Sequence, residues 1–324
     1  PLTRLLRVPH AKEIRPAPVA LPFAGHVELG FTDADHDGAV FELGSWIRSA
    51  RFHQYDPSAS KAALLPFEPP GKFDAPEGLV AREVRVRSHD GVEIPASIVM
   101  RADTRLDGSN PTILYGYGAY GTTEDPGWSP RLLAWLDRGG VFVIAHVRGG
   151  GVFGDAWHRA GQKTTKPNTW KDGIAVAEWL VAQKYTSPGR LAVMGGSAGG
   201  IFVGRAMTAR PDLFAAAVVS VGNTDLVRSE TRANGVANIP EYGTVKREDE
   251  FRALLEMSPY ASIRDGVKYP AALFEHGVND IRVDVWMTLK TASRLAAATA
   301  SGRPVLLRLE YDGGHGVGGT RTQG

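Results

Sequence analysis

The chain of 324 residues contains no cysteine. Disulfides, thiolate metal sites and a cysteine nucleophile are therefore excluded, and the lack suits a reducing and an oxidising compartment equally. Long hydrophobic runs are also missing: the longest, such as residues 213–219, fall far short of the roughly 18 residues a membrane span needs. Neither sign of charge dominates, with 37 Lys and Arg against 35 Asp and Glu for a net charge of +2. No run of Lys or Arg marks a nucleic-acid face, and no His/Asp/Glu set has zinc spacing. What is present is ordinary globular material, 43% hydrophobic and 22% charged. The 38 glycines and 21 prolines announce many turns and close backbone approaches. The length exceeds one average domain and suffices for a large core. Residue 1 is Pro with no signal-peptide pattern behind it, and 318–324 directly follow a Gly-rich loop. The ends read as those of a piece of a longer protein. The compartment is thus left open, with the cytoplasm favoured over periplasm or secretion.

Residues 1 to about 70 differ from the rest. Short β-like runs at 26–32, 39–47 and 50–55 are rich in aromatic and β-branched residues. The polar turn at 33–38 separates two of them, and Pro66, Pro69, Pro70 and Gly71 then break the pattern as a linker would. Meandering strands of this length suit a sandwich or one propeller blade. From about residue 80 the pattern changes. Residues 83–87 and 92–100 read as a hairpin about His89-Asp90-Gly91. Short apolar runs at 112–115, 141–145, 190–194, 216–221, 271–275 and 305–309 predict buried parallel strands. Helical patterns at 130–137, 170–184, 198–209 and 283–300 lie between them. Sites in such sheets form at the carboxyl ends of the strands, so the residues after each strand are the ones that matter.

The most specific motif is Gly195-Gly196-Ser197-Ala198-Gly199-Gly200, a G-x-S-x-G between a strand and a helix. A serine on such a turn sits in strained backbone, where neighbouring side chains would clash; glycines and a small Ala198 relieve this. The helix N-terminus offers unpaired N–H groups to a developing oxyanion. The competing reading is an ordinary Gly-rich turn. A serine hydroxyl needs a base that a third residue orients, in the chain order Ser, Asp/Glu, His for this fold class. Asp280 follows the strand at 271–275, and His315 follows the strand at 305–309. Asp225, Asp284 and Asp312 compete for the acid, and His276, His146 and His158 for the base. Asp225 comes early in the strand order, Asp284 falls in the next helix, and Asp312 is close to His315 in sequence. The three competing histidines read more simply as structural.

Two further patterns carry little. Gly116-Tyr117-Gly118-Ala119-Tyr120-Gly121 matches G-x-G-x-x-G, but a polar, Pro-containing loop stands where a dinucleotide site needs a helix. Asp33, Asp35, Asp37 and Gly38 open like a calcium loop, yet Gly44 occupies the position of its bidentate Glu.

Six motifs occur in order: Leu114-Tyr115-Gly116-Tyr117-Gly118; Arg148-Gly149-Gly150-Gly151 with Trp157-His158; the serine turn; Arg210-Pro211-Asp212-Leu213-Phe214; Asn279-Asp280-Ile281-Arg282-Val283; and Gly314-His315-Gly316. Over nearly its whole length the chain thus resembles the prolyl oligopeptidase family of serine peptidases. The resemblance implies a β-propeller joined to an α/β-hydrolase domain with a mostly parallel, doubly wound sheet. Residues 1–70 would then be a propeller-blade remnant and linker, and 71–324 the catalytic domain without its last helix. It implies Ser197 as nucleophile, His315 as general base and Asp280 as its orienter. The oxyanion would be held by the Tyr117 hydroxyl and the Ala198 N–H. Arg282 would grip a substrate carbonyl, and Tyr120 and Tyr242 would line the primary specificity pocket. Two positions depart from the proline-specific pattern: Ala198 stands in place of an Asn, and Asn238 in place of a stacking Trp. Glu241 is the one acidic candidate in the segment where the Arg/Lys-specific branch carries acids. The expected activity is cleavage of short peptides through an acyl-enzyme, the alternative a carboxylesterase with the same triad. No cofactor is expected, and the partners are an oligopeptide or small ester, with no nucleic acid and no membrane. The rest of the propeller is expected from the full-length protein. A non-catalytic binding module is poorly supported by an intact triad.

Overall fold

The computed structural model describes residues 3–8, 15–33, 35–67 and 69–316. The tail at 318–324, and residue 34 of the expected turn, lie outside them. The chain divides into two compact units: residues 1–81, 99–103 and 125–139, and residues 82–98, 104–124 and 140–324.

In the first unit β1 (Leu6–Arg7) and β2 (Ala17–Pro18) pair antiparallel. A four-stranded antiparallel sheet follows: β3 (His26–Asp33), β4 (His36–Ser45), β5 (Arg48–Asp56) and β6 (Lys61–Leu64), in that order. Asp33 pairs with His36, so the expected six-residue turn is tighter than its polar composition suggests. One face of the sheet is apolar because Val27, Phe41, Leu43, Tyr55 and Ala62 alternate inward, joined by Leu21 and Phe23. The unit also holds the short helix α1 (Pro130–Leu136).

An eight-stranded sheet carries the second architecture. Its strands are β7 (Leu79–Arg87), β8 (Glu93–Arg101), β9 (Thr112–Tyr115), β10 (Val141–Ala145), β11 (Leu191–Gly196), β12 (Ala216–Ser220), β13 (Ala271–Gly277) and β14 (Val305–Glu310). Their spatial order is β14-β13-β12-β11-β9-β10-β8-β7, with β9 to β14 parallel. β9 to β13 are short, continuous and apolar, as a sheet covered on both faces requires, while the edge strand β14 leaves Leu306 and Leu307 exposed. The helices are α2 (Asp155–Arg159), α3 (Pro167–Ala182), α4 (Gly199–Ala209), α5 (Ile239–Tyr242), α6 (Glu248–Met257), α7 (Pro259–Ser262) and α8 (Val285–Ala298). α3 packs on α4, and α4 on β11 and β12. The fully buried Phe202 of α4 fills the space beside Gly116 and Gly173, where added Cβ atoms would come within 2.6 Å and 2.1 Å of its ring.

The strand order reverses at β9: the chain leaves it to one side for β10 and returns on the other as β11. Such a switch point opens a crevice beyond the carboxyl ends of the two strands. Tyr117 follows β9 and Ser197 follows β11, so both reach that crevice by topology.

A buried ion cluster anchors the loop after β10. The Arg148 guanidinium donates to both Asp172 oxygens at 2.9 and 2.6 Å and pairs with Asp90, while the Ser88 hydroxyl donates to Asp172 at 2.6 Å. Asp172 is fully buried, so removing its carboxylate leaves the buried Arg148 with the half-exposed Asp90 as its sole carboxylate among the described residues and takes the acceptor from the Ser88 hydroxyl. Asp172→Ala is expected to cost about 3–5 kcal/mol of stability, read as a lower urea midpoint at unchanged m-value. A loss below about 1 kcal/mol would show the cluster to be dispensable.

Candidate active site

The turn between β11 and α4 places Ser197 at φ +54, in the left-handed region that costs a non-glycine residue about 1–3 kcal/mol. Surrounding hydrogen bonds hold it there. The Ser197 N–H donates to Ser220 O at 2.9 Å, and its carbonyl accepts from Asn223 N at 2.8 Å and Gly200 N at 3.0 Å. Only glycine fits at the neighbouring positions, since a Cβ on Gly195 would lie 2.6 Å from Gly116 O and one on Gly200 2.6 Å from the Gly222 Cα. The turn therefore presses directly against the loops after β9 and β12. The Ala198 N–H, at the start of α4, takes no acceptor among the described residues and is left for an incoming ligand.

His315 and Asp280 arrive from separate loops that are zipped together by backbone. Val278 N donates to Glu310 O at 2.9 Å and Asn279 N to Gly313 O at 3.0 Å. The Asn279 side chain donates to Tyr311 O at 2.7 Å. Gly277 makes this approach feasible, because a Cβ there would stand 2.2 Å from Gly314 O. The result is a chain of three side chains: Ser197 Oγ to His315 Nε2 at 3.1 Å, and His315 Nδ1 to Asp280 Oδ2 at 2.7 Å. Asp280 is fixed in turn, its Oδ1 accepting the N–H groups of Arg282 at 2.8 Å and Val283 at 2.9 Å. Gly277→Ala is expected to push the His315 loop away and lower kcat/KM by at least about 10²-fold, with far-ultraviolet circular dichroism unchanged. Near-normal activity would show that the two loops tolerate the separation.

His276, weighed earlier as a base, is fully buried and sits behind Asp280. Its Nε2 lies 2.9 Å from Val283 O and 3.2 Å from Asp280 Oδ2, and its Nδ1 lies 2.7 Å from the Thr288 hydroxyl. Burial pulls its pKa down against the opposing pull of Val283 O and the Asp280 charge. The neutral ring that results donates through Nε2 and accepts from Thr288. It is a wall and a hydrogen-bond donor for Asp280, and Ser197 lies beyond its reach through the ring of contacts just described. The competing acids go elsewhere: Asp225 pairs with Lys290, Asp284 stands at the start of α8, and Asp312 is exposed.

On the other side of Ser197 stands Tyr117. Burial raises the pKa of its phenol, while contact with Ser197 and the Arg282 charge pull the other way, so it remains a proton donor. The loop carrying it, 116–121, is held from behind by Lys166, which no sequence pattern marks, and by Glu241 and His158, whose part here differs from the roles the sequence suggested. Fully buried Lys166 donates to Gly118 O at 2.6 Å. Glu241 accepts from Tyr120 N at 3.1 Å and contacts His158 Nε2 at 2.7 Å and Lys166 Nζ at 3.5 Å. Burial drops the Lys166 pKa to about 8, with Glu241 opposing it. Glu241 thus spends its carboxylate on the loop and does not face the cavity.

An open cavity of about 250 Å³ lies beside Ser197. Tyr117, Tyr120, Asn238 and Arg282 line it, as do Asn223, Arg232, Thr122 and Val283. Tyr242 is buried one layer back, its ring edge-on to Tyr120 at 5.7 Å and its hydroxyl 3.4 Å from the Asn223 amide. The Tyr120 hydroxyl donates to Asn238 at 2.6 Å. Asn223 follows β12 and could have been found by inspecting every strand end. Arg232 lies in the irregular stretch 221–238, where nothing periodic points to it.

A parallel sheet with its crevice at the switch point, and a serine raised on a strand–turn–helix, define an α/β-hydrolase. Residues 127–324 match the prolyl oligopeptidase family model. The chain belongs to that family. It is 37% identical over 306 residues to a prolyl endopeptidase of Elizabethkingia meningoseptica, covering 94% of this chain and 43% of the relative. Among solved structures, oligopeptidase B from Trypanosoma brucei superposes with a TM-score of 0.88 at 28% identity, covering 97% of this chain and 46% of that one. Prolyl oligopeptidase B from Galerina marginata gives 0.87 at 31%, covering 94% and 43%. The chain spans less than half the length of these relatives.

Proposed function

We propose that this chain is the catalytic portion of a serine peptidase that cuts short peptides through an acyl-enzyme. The observation that carries the reading is the continuous contact from Ser197 through His315 to Asp280, at 3.1 and 2.7 Å. Similarity to a prolyl endopeptidase and to a prolyl oligopeptidase B solved with a peptide macrocyclization substrate supports a peptide over a simple ester.

In this mechanism Asp280 holds His315 with its proton on Nδ1, leaving Nε2 to accept the Ser197 proton as Oγ attacks the scissile carbonyl. The negative charge that forms on the carbonyl oxygen is met by the Ala198 N–H and the Tyr117 hydroxyl. His315 then passes its proton to the leaving amine, and water repeats the sequence on the acyl-enzyme. Arg282, on the rim, holds a substrate backbone carbonyl. The sheet of residues 26–64 serves as one blade of a propeller completed by other parts of the protein, with 1–70 as blade and linker and 71–324 as the hydrolase.

A fluorophosphonate probe should label Ser197, and short peptide amides should be turned over, which a carboxylesterase limited to short acyl esters would leave intact. Labelling elsewhere, or turnover of esters alone, would overturn the reading. Tyr117→Phe should lower kcat by about 10² to 10³ while KM moves little, the signature of a group that binds the transition state alone. An unchanged kcat would remove the phenol from the oxyanion site.

A further inference from the structure

The cavity beside Ser197 has an unusual charge balance. None of the residues lining it is acidic, and two are arginines, Arg232 and Arg282. Arg232 is only 8% exposed. Its Nη1 donates to the Arg282 carbonyl at 3.0 Å, and its buried Nε has no hydrogen-bond partner; among the described residues it meets no carboxylate. A guanidinium removed from water and left without a counter-ion is costly, and such groups are normally paired. Of the two carboxylates that act on Tyr117, neither lines the cavity: Glu241 is already held by Tyr120 N, His158 and Lys166, and Glu124 stands outside the lining.

A second buried atom nearby is also unsatisfied. Asn223 is 2% exposed and its Oδ1 has no partner. Its Nδ2 donates to the Tyr242 hydroxyl at 3.4 Å, so the orphaned Oδ1 is an acceptor and Arg232 stands as the cavity's unpaired buried donor among the described residues. The Tyr120 hydroxyl, also in the lining, gives its proton to Asn238 at 2.6 Å. The pocket therefore offers a buried cation without a counter-ion, set among neutral polar groups in an open space of about 250 Å³. Nothing in its lining would receive a lysine or arginine, and Asn238 offers no aromatic plate for a proline ring.

We propose that this pocket takes the residue on the acyl side of the cut when that residue carries a carboxylate, Asp or Glu, and that Arg232 is the group that recognises it. The proposal rests on the serine-peptidase reading above. A carboxylate would form charge-assisted bonds to Arg232 that the neutral isostere cannot form, and a site whose buried donors go unpaired discriminates strongly.

The test uses the intact protein and matched peptide amides that differ only at the residue before the cut: Glu, Asp, Gln, Asn, Pro, Ala and Lys. The expected result is kcat/KM for Glu about 10²-fold above Gln. In Arg232→Gln the Glu-to-Gln ratio falls to near one, while Arg232→Lys keeps part of it. N-acetyl-Glu should also inhibit the unaltered protein more tightly than N-acetyl-Gln, a readout that survives even if a variant fails to fold. Cleavage of Pro or Ala peptides with no gain for Glu or Asp overturns the acidic pocket and leaves the peptidase reading standing. A Glu preference that persists in Arg232→Gln overturns the assignment to Arg232. A preference that appears only when the leaving residue carries a free carboxylate moves the recognised group to the other side of the cut and overturns the proposal. Failure to cleave any peptide overturns both.

Discussion

Ser197→Ala lowers turnover by on the order of 10⁶-fold and leaves the protein as stable as before. The size of the effect follows from the geometry. The change removes one oxygen, which in the proposed mechanism both bonds to the substrate and delivers its proton to His315 Nε2, 3.1 Å away. With it gone, the histidine and Asp280 have nothing to activate. What remains is whatever the oxyanion site and binding supply, roughly 10³ to 10⁴ over water. Stability is untouched because alanine keeps the Cβ. The contacts that hold the turn, Ser197 N to Ser220 O and Asn223 N to Ser197 O, are all backbone. Steady-state kinetics beside a thermal melt check both halves. Retention of more than about 1% of the activity would exclude Ser197 as the nucleophile.

Asp280→Asn should cost about 10⁴-fold in kcat with the backbone in place. Two N–H groups, from Arg282 and Val283, point at one carboxylate oxygen, so the asparagine must keep its carbonyl oxygen there. Its amide nitrogen then occupies the position of Oδ2 and donates to His315 Nδ1. The imidazole is forced to carry its proton on Nε2, where it can no longer accept one from Ser197. The same amide meets the Nε2 of His276, 3.2 Å from that oxygen in the unaltered protein. That ring already donates there and toward Val283 O, so two donors face each other in a buried space. The variant should therefore melt measurably earlier as well as turn over slowly, whereas Ser197→Ala should not. A loss below tenfold would mean that His315 is oriented by something other than Asp280.

Much of the fold was legible because the sheet strands are short, apolar and separated by amphipathic helices. The runs at 112–115 and 141–145 coincide with β9 and β10, the other parallel strands differ by a residue or two, and β7 begins four residues before the expected 83. Elements escaped where the local signal was weak or contrary. Lys61-Ala62-Ala63-Leu64 is made of helix formers, yet it pairs with β5 because the sheet edge rewards Ala62 for turning inward. α6 turns Glu250, Ala253, Leu254 and Met257 inward; its amphipathic pattern is present in the sequence but confined to ten residues directly after an irregular polar stretch.

The chain order Ser, Asp, His, each just after a strand, follows from sequence alone, because a parallel sheet brings every strand end to one edge whatever lies between. So does the nucleophile turn, whose glycines are a local steric requirement. What only the tertiary structure decides is the company these residues keep. His276 backs Asp280, Lys166 grips the loop of Tyr117 from 48 positions along the chain, and Glu241 is drawn away from the cavity that Arg232 faces. Burial and partnership depend on contacts between distant segments, and no periodicity or spacing encodes them.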